Sequence, residues 1–155
     1  MTPAIAAVKQ AKVAYRIHEY AHDPGSASYG EEAAHKLGIE SARVFKTLVV
    51  EMDAKKFAVG IVPVSRQLDL KLFAHVLGAK KAAMADAQDA QRMTGYVLGG
   101  ISPLGQKRTL ATVIDTSATA FDTVFVSAGR RGLEIELAPV DLCALTKGRF
   151  AVIGR

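Results

Sequence analysis

The amino-acid sequence predicts one α/β domain of the α+β type, in which a mixed sheet, curled towards a barrel, carries peripheral helices. Strand-like segments outnumber those that a simple alternation of strands and helices needs. Two strong strands are separated only by a short polar turn around Asp53, as in a hairpin. The helical segments are short, and several end at a glycine, which is typical of helix C-termini. A chain of 155 residues has the length of one domain, so we expect residues 1–155 to form a single unit.

In the first half of the chain, helices and strands alternate. Thr2 can cap a helix in which Pro3 takes the first position, and the alternating residues that follow predict a strand. A run of turn-forming residues then interrupts the chain before a second helix, which Gly38 closes. In order, the predicted elements are a helix from Pro3 to about Lys12, a strand over 14–20, a helix over 28–37 and hairpin strands over 44–50 and 57–64.

The second half begins with two helices, which Gly78 and Gly95 terminate. Beyond a glycine-rich loop, short apolar runs bounded by turn residues predict three more strands. Pro139 then opens a last helix. In order, the predicted elements are helices over 68–77 and 86–94, strands over 109–114, 123–127 and 133–137, and a helix that starts at Pro139.

The composition predicts a globular protein of the cytoplasm. Hydrophobic residues make up 50% of the chain and charged residues 23%, and no apolar run approaches the ~20 residues that span a bilayer. The N-terminal segment lacks the pattern of a secretory signal. The single cysteine, Cys143, fits a reducing compartment and lies in a helical segment, where we interpret it as a packed thiol. We therefore expect no membrane partner.

The net charge of +5 favours an anionic partner, although charge alone is a weak signal. The basic residues form doublets beside turn residues instead of one long tract. Doublets of this kind suit contacts with the phosphates of a folded RNA, but solvated loop charge explains them equally well. The doublets are Lys55-Lys56, Lys80-Lys81, Lys107-Arg108 and Arg130-Arg131, of which Lys107-Arg108 directly follows the glycine-rich loop.

A lysine strand and a glycine loop together predict a binding site. Lys46 lies within the apolar run Phe45 to Val50, where it shares a face with Leu48 and Val50, and neither face of this strand resembles a solvent-exposed one. Residues 99–105 include paired glycines, whose backbone can approach a ligand closely and present N–H groups to a carbonyl or phosphate oxygen.

His18-Glu19-Tyr20-Ala21-His22 matches the H-E-x-x-H pattern of zinc proteases. That pattern binds zinc only on a helix, where residues four apart share a face. Here the flanking residues alternate as in a strand, and Pro24 opposes a helix just after His22. We interpret the match as coincidental and expect no metal.

Other catalytic motifs fit no better. Ser102 only partly resembles a nucleophile elbow, because Leu104 takes the place of the last glycine and Pro103 lacks an N–H. The glycine spacing matches neither a Walker loop nor a dinucleotide fingerprint. The sequence therefore predicts a site with neither cofactor nor protein nucleophile.

The chain resembles the YbaK family of bacterial Cys-tRNA(Pro) deacylases, which is related to the editing domain inserted in bacterial prolyl-tRNA synthetases. The resemblance extends from end to end, and its most specific parts are the lysine strand and the glycine loop. The matching segments are 1–4, 22–24, 29–34, 45–48, 84–86, 94–96, 99–107, 131–133 and 136–139.

The resemblance implies a largely antiparallel, six- or seven-stranded barrel-like sheet and the release of cysteine from mischarged proline tRNA, in trans to the synthetase and through a transient complex with it. It also implies that the substrate's own thiol attacks its ester carbonyl, so that positioning provides much of the catalysis. The roles that it implies are substrate holding by Lys46, ester binding by the N–H groups of Gly100, Ile101 and Ser102, pocket lining by Tyr20, Tyr29 and Gly99, and a polar rim of Thr47 and Glu136. The distribution of charge adds four candidates for RNA contacts, which are Lys107, Arg108, Arg130 and Arg131.

Two alternatives remain open from sequence. A related enzyme could edit another amino acid, such as alanine on proline tRNA, because a hydrophobic pocket discriminates only about 10–200-fold between substrates that differ by one small group. A tRNA-binding module without catalytic activity would retain affinity for RNA without needing the chemistry of Lys46.

Overall fold

The computed structural model describes residues 1–26 and 28–155. Over these residues the chain forms five α-helices and eight strands, with short 3₁₀ turns between some of them. The elements are α1 (Pro3–Ala11), β1 (Tyr15–Glu19), α2 (Tyr29–Leu37), β2 (Phe45–Met52), β3 (Lys56–Pro63), α3 (Leu70–Val76), β4 (Ala82–Met84), α4 (Ala87–Thr94), β5 (Ala111–Asp115), β6 (Val124–Ser127), β7 (Leu133–Leu137), α5 (Pro139–Thr146) and β8 (Arg149–Ala151).

The strands form two sheets instead of a closed barrel. The larger sheet has the order β4-β2-β3-β5-β8, and the smaller has the order β1-β7-β6. Four of the strand pairings are antiparallel, including the predicted β2–β3 hairpin, whereas β5 runs parallel to β3 and to β8. A parallel bridge between Val44 and Phe125 connects the two sheets. The α+β class and the mixed, largely antiparallel pairing are confirmed, but the expected curling into one barrel is corrected to two sheets joined at this bridge.

Local capping explains most helix boundaries. The Thr2 hydroxyl accepts a hydrogen bond from the Ile5 N–H at 3.2 Å, and Pro3 opens α1 as predicted. Gly38 adopts a positive φ of 66° after α2, and Gly95 a positive φ of 81° after α4. The third helix starts at Leu70, later than predicted, because Asp69 caps it and the preceding Leu68 pairs with Gly154.

The hydrophobic core has two main parts, which lie on opposite faces of β2. Phe45 and Val49 pack in the larger cluster with residues of the smaller sheet, including Ile135. Val50 packs on the other side with Phe73 of α3, whose complete burial contributes about 1.5–3 kcal/mol. Both faces of β2 are therefore covered, as the sequence predicts, and a lysine within this strand must lie in a cleft. No helix in the described ranges is both long enough and apolar enough to cross a membrane.

Candidate active site

A cleft of about 400 Å³ opens beside the start of β2. Its volume lies in the range of small-molecule sites in proteins. The wall combines the beginning of α2, the glycine loop and the turn between β6 and β7, so distant parts of the chain meet here. The lining residues are Tyr20, Ser28, Tyr29, Gly30, Lys46, Thr47, Leu48, Val64, Leu98, Gly99, Ile101, Ser127, Arg130, Arg131 and Glu134.

Lys46 extends from β2 into this cleft and is half-buried. Burial lowers the pKa of its ammonium below the ordinary lysine value, while the negative charge of Glu31 opposes that shift. A partly desolvated cation interacts more strongly with an anionic ligand than one in water does. Lys46 therefore presents a partly desolvated amino group to the cleft.

Thr47 and Glu134 contribute buried polar groups to the cleft. The Thr47 hydroxyl oxygen is buried and makes no hydrogen bond to any described residue. Glu134, on β7, is 7% exposed, and burial raises the pKa of its carboxyl to about 8. Both groups line the cleft, and a buried polar group without a partner is costly unless a ligand or water satisfies it. This arrangement indicates that the cleft is built to hold a polar molecule.

Arg131 and Tyr29 form one wall of the cleft, against the backbone of the glycine loop. The guanidinium carbon of Arg131 lies 3.7 Å from the centre of the Tyr29 ring, and a guanidinium N–H donates to the Tyr29 hydroxyl. Gly99, with a φ of 90°, packs directly against this pair. A Cβ at position 99 would lie 2.6 Å from Arg131 Nε and 2.7 Å from Tyr29 Cε2, so only glycine fits there.

The glycine loop departs from the expected row of three N–H groups. The N–H of Gly100 donates to the Val97 carbonyl at 2.9 Å, and the Gly100 carbonyl accepts from the Ser127 hydroxyl at 3.3 Å. Ser102 is fully buried, and its hydroxyl accepts from the Leu104 N–H at 3.1 Å. Neither Gly100 nor Ser102 lines the cleft, whereas Gly99 and Ile101 do. Hydrogen bonds within the loop and from Ser127 thus hold its conformation. Of the three residues predicted to bind the ester, Ile101 is the one that lines the cleft.

Glu136 lies outside the cleft. Its carboxylate accepts from the Thr123 hydroxyl at 2.6 Å and contacts His18 Nε2 at 2.8 Å, beside a separate small cavity. Burial alone would raise the pKa of Glu136, but these hydrogen bonds hold it below its ordinary value. The sequence pattern predicted Glu136 as a site residue, but the carboxyl group that lines the cleft is that of Glu134, two residues earlier on the same face of β7.

The basic doublets divide between the cleft and the rest of the surface. Arg130 and Arg131 line the cleft, as do Tyr20 and Tyr29 of the predicted set. Lys107 and Arg108 follow the glycine loop and pack beside the C-terminal end of α4, where their backbone N–H groups donate to the carbonyls of Thr94 and Met93. These two residues are not part of the cleft wall, so a contact with RNA through them stays a prediction.

The H-E-x-x-H segment lies in a strand and the loop after it, which confirms the β interpretation. Its two histidines contact different carboxylates: His18 contacts Glu136, and His22 Nδ1 lies 2.6 Å from Glu32 Oε1. Among the residues that the structure describes, no cluster of three or more histidine, cysteine or carboxylate side chains is arranged to hold a metal. In the described part of the chain, His18 and His22 therefore do not meet a third ligand side chain of the kind that zinc takes.

Comparison with known proteins identifies the family. A model of the aminoacyl-tRNA editing domain matches residues 23–145. The chain belongs to the aminoacyl-tRNA editing domain family. EbsC of Enterococcus faecalis, whose name describes a Cys-tRNA(Pro)/Cys-tRNA(Cys) deacylase, is 41% identical over 152 residues, which cover 98% of this chain and 92% of that protein.

Members of this family also occur within larger enzymes. The proline–tRNA ligase of Lactobacillus helveticus is 26% identical over 111 residues, which cover 72% of this chain but 20% of the ligase. A solved structure described as a trans-editing enzyme for prolyl tRNA synthetase covers 99% of this chain and 95% of its own, with a TM-score of 0.85 and 22% identity. This structural likeness confirms the fold. As an editing-domain protein, the chain is related to the proofreading part of prolyl-tRNA synthetases and belongs to a family that acts on mischarged tRNA.

Proposed function

We propose that this protein deacylates cysteinyl-tRNA(Pro) in trans to prolyl-tRNA synthetase. The observation that carries the proposal is the end-to-end similarity to EbsC, at 41% identity over 98% of the chain. The presence of a lysine and a buried carboxyl group in one cleft supports a catalytic role over a purely RNA-binding one, because RNA binding alone does not need a buried acid.

In the proposed reaction the substrate thiol is the nucleophile. The cysteinyl sulfur gives up its proton and attacks the ester carbonyl carbon. The carbon–sulfur bond forms, the bond from that carbon to the ribose oxygen breaks, and the ribose oxygen takes up a proton. The products are free tRNA and a cyclic thioester of cysteine, which water opens to cysteine. Neither a cysteine nor a histidine is among the described residues that line the cleft, and this absence supports a nucleophile supplied by the substrate.

The roles of the cleft residues follow from their charge. The Lys46 ammonium is assigned to the carbonyl or phosphate oxygens, where it stabilises developing negative charge. The Glu134 carboxyl, with a pKa of about 8, is assigned to proton exchange with the substrate thiol, whose ordinary pKa is about 8.5. Proton transfer between groups of similar pKa is nearly balanced, which suits general acid–base catalysis. The Thr47 hydroxyl and the Ile101 backbone then hold the amino-acid part of the substrate.

The proposed partner is prolyl-tRNA synthetase, through a transient complex that delivers the mischarged tRNA. The similarity to a portion of two proline–tRNA ligases supports this partner, because a domain that is part of the ligase chain there would here be supplied by a second chain. Arg130 and Arg131, which line the cleft, are suited to the phosphates of the acceptor end.

A deacylation assay over a panel of mischarged tRNAs tests the proposal. We expect rapid loss of cysteine from cysteinyl-tRNA(Pro) and much slower loss of alanine from alanyl-tRNA(Pro). Preference for the alanyl ester would assign the protein to a different editing specificity. Binding of all the tRNAs without release of any amino acid would indicate a binding module instead of an enzyme.

A further inference from the structure

His22, the second histidine of the H-E-x-x-H segment, has no part in the function described so far. It lies in the loop after β1 and contacts residues from two other elements. Nδ1 lies 2.6 Å from a carboxylate oxygen of Glu32, on α2, and Nε2 lies 3.4 Å from Nη1 of Arg131. A single imidazole thus connects a buried acid to the arginine that lines the cleft.

The donors and acceptors of this chain of contacts have one consistent arrangement. A guanidinium only donates hydrogen bonds, so His22 Nε2 accepts, and Nδ1 carries the hydrogen that it donates to Glu32. The other carboxylate oxygen of Glu32 accepts from the Asp23 N–H at 2.7 Å, which fixes the loop that carries His22. The Glu32 side chain is 4% exposed, so this anchor is nearly enclosed by protein.

Helix α2 connects the two residues that hold Arg131 in place. Tyr29 begins this helix and Glu32 follows one turn later, so the tyrosine that stacks on Arg131 and the acid that holds His22 share one rigid element. The Tyr29 and His22 rings also meet edge-on, with centroids 6.1 Å apart. Arg131 is therefore held between Tyr29 and His22 and borders the cleft, and among residues 1–26 and 28–155 its other N–H groups have no hydrogen-bond partner.

We propose that His22, oriented by Glu32, is a positioning residue that holds Arg131 as a binding site for the RNA phosphate next to the terminal adenosine of the substrate. This inference rests on the proposed function for its substrate. A guanidinium recognises phosphate through paired N–H groups in a fixed plane, so its orientation determines how well it binds. Arg130, which precedes Arg131 in the turn between β6 and β7, adds a second positive charge to the cleft wall.

The test compares a substrate that carries the phosphate with one that lacks it. With cysteinyl-tRNA(Pro), we expect His22→Ala to raise KM by about tenfold, the effect of weakening one hydrogen bond to a charged group, and to change kcat little. With cysteine esterified to adenosine alone, the same variant should match wild type. His22→Gln should restore KM, because an amide can donate to Glu32 and accept from Arg131. His35→Ala, which removes an exposed histidine from α2, is the matched control.

Binding of uncharged tRNA(Pro), measured by fluorescence anisotropy, makes the inference testable independently of ester cleavage. His22→Ala should weaken this binding, and the double variant with Arg131→Ala should bind no more weakly than Arg131→Ala alone. If wild type releases no cysteine, the proposed function fails while this binding experiment still decides the role of His22. Glu32→Gln, which keeps the side-chain shape, replaces His22→Ala should the latter not fold, and should weaken binding in the same way. Equal losses with both substrates, additive effects of the two substitutions, or unchanged binding in a folded variant would overturn the proposal.

Discussion

The Arg131 guanidinium stacks on the Tyr29 ring at 3.7 Å, and this pair leaves room for only a hydrogen atom on the α-carbon of Gly99. The glycine of the loop is thus required by the arginine of a distant turn. Close approach between a cation, an aromatic ring and bare backbone makes one wall of the cleft. This relationship leads directly to a first prediction.

Gly99→Ala should impair activity more than stability. The left-handed backbone at this position costs about 1–2 kcal/mol for any residue with a Cβ. The new methyl group would also displace Arg131 and Tyr29, which the steady-state parameters for cysteinyl-tRNA(Pro) should register as a raised KM. Gly78→Ala is a matched control, because Gly78 has a φ of 70° with open space around the site. Equal activity of the two variants would show that the contact with Arg131 is unimportant.

Lys46→Ala should lower kcat/KM by about 100-fold or more, comparable to the loss of one oxyanion-stabilising group. The activity of wild type should also fall as the pH rises and Lys46 loses its proton. Because burial lowers the pKa of Lys46, the midpoint of this fall should lie below the ordinary lysine value of 10.5. Lys56→Ala, at an exposed position on β3, should be silent. Activity of Lys46→Ala within about threefold of wild type, at an unchanged melting temperature, would refute the role assigned to this residue.

Glu134→Gln should stabilise the protein in a pH-dependent way. Between the ordinary pKa of 4.5 and the raised pKa of about 8, the unfolded chain loses the Glu134 proton while the folded protein keeps it. The free energy of unfolding of wild type therefore decreases as the pH rises through this window. Glutamine does not ionise, so the variant does not lose stability in this way. The gap in melting temperature should be small below pH 4.5 and largest above pH 8. Thermal denaturation of wild type and Glu134→Gln at both ends of this pH range measures the difference, and Glu19→Gln is the control at an exposed position. A difference in melting temperature that does not change with pH would contradict a raised pKa of the Glu134 carboxyl.

Excess chelator should leave turnover unchanged. The two histidines of the H-E-x-x-H segment are engaged with Glu136 and Glu32 on separate elements, so they do not converge on one ion. Metal analysis of the purified protein, together with an activity assay in chelator, checks this prediction. One zinc per chain with chelator-sensitive activity would revive a metallohydrolase mechanism.

The sequence predicted those elements whose signals are local. Thr2, Asp86 and Gly38 mark helix ends because their side chain or backbone conformation acts within one turn. Strands β4 and β8 were missed because three residues are too few to show an alternating pattern. Such short edge strands depend on partners that are distant in sequence, and a pattern of residues does not specify those partners.

The choice between Glu134 and Glu136 shows the same limit within the site. Both carboxylates lie on one face of β7, so alternation alone treats them alike. Register separates them: Glu134 lies opposite His18 and Ser127, whereas Glu136 lies opposite Arg16 and Phe125. A shift of two residues moves the side chain by about 7 Å, which is enough to leave the cleft. Strand register is a tertiary property, which the pattern of residues along one strand does not specify.

The central claim is that the substrate supplies the nucleophile, and a comparison of cysteinyl-tRNA(Pro) with seryl-tRNA(Pro) tests it most directly. The two esters differ by one atom, and a hydroxyl is a far weaker nucleophile than a thiol near neutral pH. Burial raises the pKa of the protein's own thiol, at Cys143, and that residue lies outside the cleft, so Cys143→Ala should be silent. Single-turnover deacylation should release cysteine at least about 100-fold faster than serine. Equal rates for the two esters, or loss of turnover in folded Cys143→Ala, would contradict attack by the substrate thiol.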